Sequence, residues 1–408
     1  MSIDFKLSPE VEEVRLRVRT FMDEEVRPVQ DRLREGGADR RAYIEEIVKL
    51  RERAKELGLW NPHLPAEWNG MGLGPVAMAF VSAEAARVGA IGPYVINAQA
   101  PDEGNMHTLL KWGTPEQKEK YLRPLAEGRA RSCFSMTEPE VAGSDPTLIQ
   151  TTAVRDGDDW VLNGHKWFSS GAHGAAFAIC IACTDPDADP PQARNSAFIV
   201  EIPSEGWEIV RDVETMAGPG NHPEIRITNV RVPADRMLGG RGEGHKLGQS
   251  RLGPARLAHC MRWIGQAEVA LEMLVDRALK RYAHGSFLAE KQAIQWMMSE
   301  SAMELYTGKL MVLHAAYKIE NGMEFRQEVS MAKVHVANAL WKIIDRSIQV
   351  HGALGYSTDT PLADMMKNAR SARLVDGADE VHMQTIAQNV IKSFQEHGST
   401  RLATGDLL

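Results

Sequence analysis

The chain has 408 residues, too many for one compact core, which implies two or three domains or closely packed subdomains. Its hydrophobic fraction of 43% and charged fraction of 25% are those of an ordinary globular protein, and its net charge of -8 argues against nucleic acid or an anionic membrane as the main partner. No run of about 18 apolar residues exists to span a membrane, and Met1-Ser2-Ile3-Asp4-Phe5 lacks the charged and apolar regions of a secretory signal.

The first part, residues 1–130, reads as helices. Ser8-Pro9-Glu10 supplies a cap, a first-turn proline and an acidic residue, and Val11, Val14, Val18 and Phe21 follow at helical spacing. Ile44, Ile47, Val48, Ala54 and Leu57 form a second stripe that Gly58 ends. Thr114-Pro115-Glu116-Gln117 is a capping box that opens a helix reaching at least Tyr121. Residues 131–240 change character. Asp156-Gly157 and Asn163-Gly164 are hairpin-type pairs around the strand-like Trp160-Val161-Leu162. Ala176–Cys183, Ala197–Ile202, Trp207–Val210 and Glu224–Val232 are further strand candidates, so this part reads as an antiparallel β domain. Cys180 and Cys183 have C-x-x-C spacing, which suits a metal or redox pair. Inside an apolar run and with no second pair, they read instead as buried strand residues. Four cysteines form no disulfide framework, and a reducing cytoplasm is the expected location, an organelle matrix fitting equally. From 245 to 408 the helical period returns. Ile264, Ala267, Leu271, Leu274 and Ala278 make one stripe, Ile294, Met297, Ala302, Leu305 and Leu313 another, and Val329, Ala332, Val336, Ala339, Ile343 and Val350 a third. The expected architecture is mainly α with a β insert: a helical domain, a β domain and a C-terminal four-helix bundle.

There is no P-loop, no H-E-x-x-H and no G-x-S-x-G. Gly70-Met71-Gly72-Leu73-Gly74 follows no strand and reads as a loop. Three patches could carry chemistry. Cys133-Phe134-Ser135-Met136-Thr137-Glu138-Pro139, followed by Gly143-Ser144-Asp145, offers hydroxyls and backbone amides to a carbonyl-rich ring or a phosphate, or else is a turn and helix cap. Asn163–Gly171 places Trp167 and Phe168 beside Ser169 and Ser170, which suits stacking on a flat cofactor or ordinary strand packing. Gln349-Val350-His351-Gly352-Ala353 precedes Asp376-Gly377-Ala378-Asp379-Glu380. Asp376 there is a helix N-cap or a base whose glycine neighbour admits a substrate closely.

These patches, in this order and at these separations, resemble the acyl-CoA dehydrogenase family over nearly the whole chain. The 376–382 segment and Gly253-Pro254-Ala255-Arg256-Leu257-Ala258-His259-Cys260-Met261-Arg262 resemble the branch of family members ten and eleven and their bacterial relatives. The resemblance implies FAD as cofactor. Phe134, Ser135, Met136 and Thr137 would face its pyrimidine side. Phe168 and Ser169 would lie near the isoalloxazine, with Ser170 approaching N5. Arg281, Gln292, Gln349, Val350, Gly352 and Ala353 would hold the dinucleotide across a subunit interface, and Ala378 and Glu380 would touch FAD, Ala378 standing where threonine is frequent. Ser144, Gly253, Ala255, Arg256 and Gly377 would line the thioester and CoA channel; Arg256 could also be an intersubunit salt bridge.

The implied reaction is α,β-dehydrogenation of an acyl-CoA. Asp376 would take the α proton, with Glu380 as the other candidate, and the β hydrogen would pass as hydride to flavin N5. Hydrogen bonds to the thioester carbonyl would stabilise the enolate-like charge. Most members carry glutamate at the base position. Aspartate is shorter by about 1.5 Å, and misplacement on that scale can cost about a hundredfold in rate. The alternative base position of some members falls on Ala255, which cannot act. Implied partners are the acyl-CoA, electron-transferring flavoprotein as electron acceptor, and further copies in a homodimer or homotetramer. Two other readings stand beside this one. A flavin oxidase or monooxygenase on the same scaffold, resembling nitroalkane oxidase, would reoxidise rapidly with oxygen. A non-catalytic helical interaction protein would be colourless.

Overall fold

Ser8 accepts a hydrogen bond from the Val11 backbone N–H and Pro9 fills the first helical turn, so the start signal does open α1 (Pro9–Phe21). The structure, a computed structural model, describes residues 7–36, 40–218 and 220–404; the opening pentapeptide read above lies outside them. The chain divides into a helical unit, residues 1–63, 71–98 and 256–408, and a sheet unit, residues 64–70 and 99–255.

The helical unit continues with α2 (Arg27–Glu35), α3 (Arg40–Glu56), α4 (Pro75–Ala86) and α5 (Ile91–Val95). Val18 and Phe21 of α1 and Ala54 of α3 enter its core, as their spacing predicts. Ile44 and Val48 do not: both stay about half exposed, because α3 turns Ile47 and Ala54 inward instead. The glycine-rich stretch at 70–74 is a loop that leads into α4 without a preceding strand.

The sheet unit opens with α6 (Asp102–Trp112), α7 (Pro115–Gln117) and α8 (Arg123–Ala126), and the capping box at Thr114 and Gln117 is formed. Its strands are β1 (Ser132–Ser135), β2 (Thr152–Asp156), β3 (Asp159–Lys166), β4 (Phe177–Cys183), β5 (Asn195–Glu201), β6 (Trp207–Asp212), β7 (Pro223–Pro233) and β8 (Met237–Leu238). They form one sheet in the order β6-β7-β3-β2-β4-β5-β8, with β1 also on β4. Every residue of β4 is buried. Phe177, Ile179 and Ile181 enter one core and Ala178, Cys180 and Ala182 another, so the apolar run is a central strand covered on both faces. Cys180 and Cys183 are free thiols buried there, as are Cys133 and Cys260 elsewhere, and burial pushes Cys180 up to about 11 and Cys133 and Cys260 up to about 12.

The sheet differs from expectation in two respects. Its pairing is antiparallel except that β1 runs parallel to β4 and β2 meets β4 in parallel at Thr152 and Cys183. Asp156-Gly157 does make the β2–β3 turn, but Asn163-Gly164 lies within β3 at a register shift against β7. Gly164 is there for close approach: a Cβ would stand 2.2 Å from the Thr151 hydroxyl oxygen. Asn163 uses its side-chain oxygen to accept from the Asn229 N–H at 2.8 Å.

The long α9 (Gly244–Lys280) belongs to the sheet unit up to Ala255 and to the helical unit from Arg256. A two-stranded ribbon, β9 (Tyr282–Ala283) and β10 (Ser286–Phe287), leads to α10 (Gln292–Glu320) and α11 (Arg326–His351). Short α12 (Ala353–Tyr356), α13 (Leu362–Ser371) and α14 (Asp379–His397) complete the bundle. Small residues let these helices close up. Gly308 of α10 brings its backbone so near α11 that a Cβ would lie 3.2 Å from Val336. Ala315, Ala316, Ala332 and Ala339 share the same core.

Candidate active site

In the sheet unit, the first two patches come together where β1 and β3 end. The Trp167 N–H donates to the Thr137 carbonyl at 3.0 Å, and the Ser135 hydroxyl donates to that of Ser169 at 2.8 Å. Both serines are fully buried, so this bond ties the two turns together inside the protein. Lys166 fixes the base of the turn. Its ammonium donates to the Met136 carbonyl at 2.9 Å and to Glu138 at 2.8 Å. Glu138 also accepts from the Gln150 and Thr151 N–H groups and the Thr151 hydroxyl, and Lys166 with these bonds holds its carboxyl below the usual range although burial opposes them. Phe134 points to the other face of its strand from Cys133 and Ser135, its ring 4.1 Å from the Arg251 guanidinium.

Phe168 carries a left-handed backbone, φ 50°, an unusual state for a bulky residue. The Ser169 N–H on the Pro223 carbonyl and the Gly171 N–H on the Asn221 carbonyl, both 3.1 Å, hold that turn. Its ring stays 42% exposed, set edge-on to Trp167. The Ser170 hydroxyl lies 2.7 Å from His222 Nδ1, and the buried Trp167 indole N–H has no hydrogen-bond partner among the described residues. An open aromatic face, a hydroxyl and an unspent donor fit a flat ring with polar edges. Ser144 is exposed in the 140–145 loop, whose Gly143 lies so near Thr137 that a Cβ would come within 3.0 Å of its side chain. Gly253 is buried and Ala255 half-buried on α9.

The helical unit holds the carboxylate. Asp376 and Gly377 both have positive φ, 53° and 109°. Asp376 does not cap α14: Ala378 occupies the N-cap and makes no side-chain cap bond. The turn is held through its carbonyls instead. Arg256 Nε donates to the Asp376 carbonyl at 2.6 Å and Lys333 Nζ to the Gly377 carbonyl at 2.7 Å. Arg256 is thus engaged within its own chain, and burial holds its guanidinium below its ordinary value while Asp376 opposes this. Burial likewise lowers Lys333, against the pull of Asp379 at 3.6 Å. The Asp376 carboxylate lies 3.3 Å from His259 Nε2, whose ring stacks on Trp263 at 5.4 Å. Gly377 has no room for a side chain, since a Cβ would meet His382 Nε2 at 2.7 Å. Burial, with Arg256 and Lys333 adding, pushes His382 down to about 4. Glu380 is exposed in the first turn of α14.

The other candidates lie elsewhere in this unit. Arg281 follows α9 and Gln292 begins α10, both exposed. Gln349 is exposed, whereas Val350 is core, packed with Leu274 and Ala278. Gly352, φ 66°, ends α11 ahead of the exposed Ala353. Sequence reasoning did not single out His259, Lys333 or His222. His259 was within reach, because three residues on a helix put it on the same face as Arg256. Lys333 and His222 meet their partners only through the fold.

Family models match three successive parts of the chain: the acyl-CoA dehydrogenase N-terminal domain over residues 8–129, the middle domain over 133–230 and the C-terminal domain over 242–391. The chain is 41% identical over 396 residues to "Probable acyl-CoA dehydrogenase FadE2" of Mycobacterium tuberculosis, covering 95% of itself and 96% of that protein. It is 39% identical over 398 residues to "Acyl-CoA dehydrogenase family member 11" of Gallus gallus, covering 94% of itself; it spans about half, 51%, of that relative's length. The solved butyryl-CoA dehydrogenase of Megasphaera elsdenii superposes with a TM-score of 0.83 at 26% identity, over 95% of this chain and 100% of that one. With three domain models in order along it, the chain belongs to the acyl-CoA dehydrogenase family of flavoprotein oxidoreductases.

Proposed function

We propose that this protein oxidises an acyl-CoA between its α and β carbons, with FAD as cofactor and Asp376 as the base that takes the α proton. The immobilised Asp376-Gly377 turn carries the reading. Half-buried Arg256 and buried Lys333 grip its carbonyls, a left-handed backbone presents its carboxylate, and a glycine beside it leaves space for a substrate. The backbone N–H groups of this turn are also placed to polarise a thioester carbonyl, where enolate-like charge develops. His259 at 3.3 Å orients the carboxylate, which is one methylene shorter than glutamate.

Residues 135–137 and 168–170 suit the ring of FAD, and Arg281, Gln292, Gln349 and Gly352 its dinucleotide, with Ala353, Ala378 and Glu380 as further contacts. A bound flavin would supply the acceptor for the β hydrogen and its electron pair at N5, a hydrogen-bond acceptor when oxidised and an N–H donor when reduced. Ser144, Gly253, Ala255 and Arg256 are proposed to line the CoA channel. We also propose the three functional segments 1–130, 131–240 and 245–408, electron-transferring flavoprotein as acceptor, and a homo-oligomer.

The test is anaerobic. The FAD-loaded protein is mixed with a panel of acyl-CoAs, and loss of flavin absorbance is followed. One or more chains should bleach the flavin, while Asp376→Asn should slow bleaching at least about a hundredfold and still bind FAD. Bleaching at the wild-type rate in that variant would remove Asp376 from the role.

A further inference from the structure

Ser170 has a partner that the proposed reaction does not yet use. Its hydroxyl lies 2.7 Å from Nδ1 of His222, on the turn before β7, and reaches the Phe168 carbonyl only at 3.5 Å, the weaker of the two contacts. The ring of His222 also packs against Phe168, with centroids 5.7 Å apart. Its far edge lies over Gly220, where a Cβ would come within 2.9 Å of Cδ2 and 3.3 Å of Nε2, so a side chain at that position would crowd this edge. Asp212 on β6 is the charge that acts on it, and that carboxylate is itself 3.0 Å from His173 Nε2. Burial lowers the pKa of His222 and Asp212 opposes it, which favours the neutral ring.

A neutral imidazole has one N–H donor and one acceptor nitrogen, and its tautomer decides which edge donates. A serine hydroxyl has one proton, so it can donate to only one of two neighbours at a time. We propose that His222 is a positioning residue whose two tautomers let the Ser170 hydroxyl reverse its hydrogen bond as the cofactor changes redox state. The inference rests on the flavoenzyme reading above, in which Ser170 faces N5. With oxidised cofactor, Ser170 must donate to the N5 lone pair, so it accepts from His222 Nδ1–H. With reduced cofactor, Ser170 must accept at that place, so its own proton turns to His222 Nδ1. His222 then carries its proton on Nε2. The ring gives up one proton at Nδ1 and takes one at Nε2, through solvent, with no net proton or electron change. In each redox state the hydroxyl has both a donor and an acceptor, and no buried polar group is stranded.

Two measurements on the FAD-loaded protein test this. Nitrogen-15 NMR of His222, in oxidised and dithionite-reduced samples, should show the proton on Nδ1 in the first and on Nε2 in the second. The same tautomer in both overturns the switch. Second, His222→Phe leaves the hydroxyl proton only the long contact to the Phe168 carbonyl when the cofactor is reduced. It should shift the equilibrium toward oxidised flavin by about tenfold, about 30 mV for a two-electron couple. His222→Asn, whose amide can present either its oxygen or its NH₂, should restore most of that loss. An unchanged potential in His222→Phe overturns the proposal, as does an equal fall in both variants. A protein that takes up no FAD overturns this and the parent reading together. A yellow, acyl-CoA-reducible protein with a fixed His222 tautomer overturns the switch alone.

Discussion

His382 faces the opposite electrostatic problem from Asp376. It is buried near Arg256 and Lys333, hydrogen-bonded to the Ser330 hydroxyl at 3.3 Å, and its pKa sits at about 4 against 6.5 in the open chain. A charged ring there would add a third cation beside two that burial already disfavours. Between pH 6.5 and about 4 the unfolded chain therefore binds the proton and the folded one does not. Stability is lost as pH falls through that window and is unaffected above it. His382→Gln keeps a partner for Ser330 and removes the titration. Its melting temperature should fall less than wild type between pH 6.5 and 4.5; parallel curves would show that His382 does not titrate this way. The same histidine explains why Gly377 admits no side chain. The sequence showed an aspartate followed by glycine, which left a helix cap and a base equally open. Only the fold shows that Ala378 takes the cap and that Lys333, 43 positions further back than Asp376, grips the turn.

Strand β3 shows how an element can be read correctly and its ends misread. Its strand-like Trp160-Val161-Leu162 was visible, and so was the Asp156-Gly157 turn that starts it. Asn163-Gly164 has the composition of a hairpin turn, and local chemistry alone favours that assignment. What decides is a neighbour: Thr151 presses on Gly164, and Asn163 bonds Asn229 across the sheet. The parallel pairing of β1 with β4 was hidden for a similar reason, since strand direction depends on connections that periodicity does not encode. The helical stripes were more legible because one helix buries one face, although Ile44 and Val48 show that a stripe can exceed what the core accepts. At the end of β3, Lys166 and Glu138 form an ion pair with almost no exposure. Lys166→Met should cost about 3–5 kcal/mol, because it leaves the Glu138 carboxylate buried with two amides and a hydroxyl but no countercharge. Adding Glu138→Gln should recover a good part of that. Urea unfolding of the two variants decides; equal stability would mean the carboxylate finds other compensation. The same pair fixes the Met136 carbonyl, so the single variant should also weaken FAD binding.

At the scale of the molecule, the family and the layout of helices, sheet and bundle were readable from the order of three patches. The acyl chain was not, because pocket shape depends on packing that residue types do not determine. Binding of FAD to the folded state alone would stabilise it by mass action, about 2.7 kcal/mol at a hundredfold excess over Kd. The melting temperature should therefore climb steadily with added FAD, and a flat response would count against the cofactor. Among the described residues no helix is long and apolar enough to cross a membrane. The electron acceptor separates the remaining chemistries. Protein reduced anaerobically by acyl-CoA should pass electrons to electron-transferring flavoprotein much faster than to oxygen; the reverse order would identify an oxidase.

The four buried thiols give this chain a built-in tally of opening. Cys133, Cys180 and Cys183 lie in the sheet unit and Cys260 in the helical one, all shielded from reagent. An alkylating probe added to native protein should label none of them quickly. Under mild denaturant, peptide mapping that finds the first three tagged ahead of the fourth would mean that the sheet unit loosens first, and the converse order that the helices do.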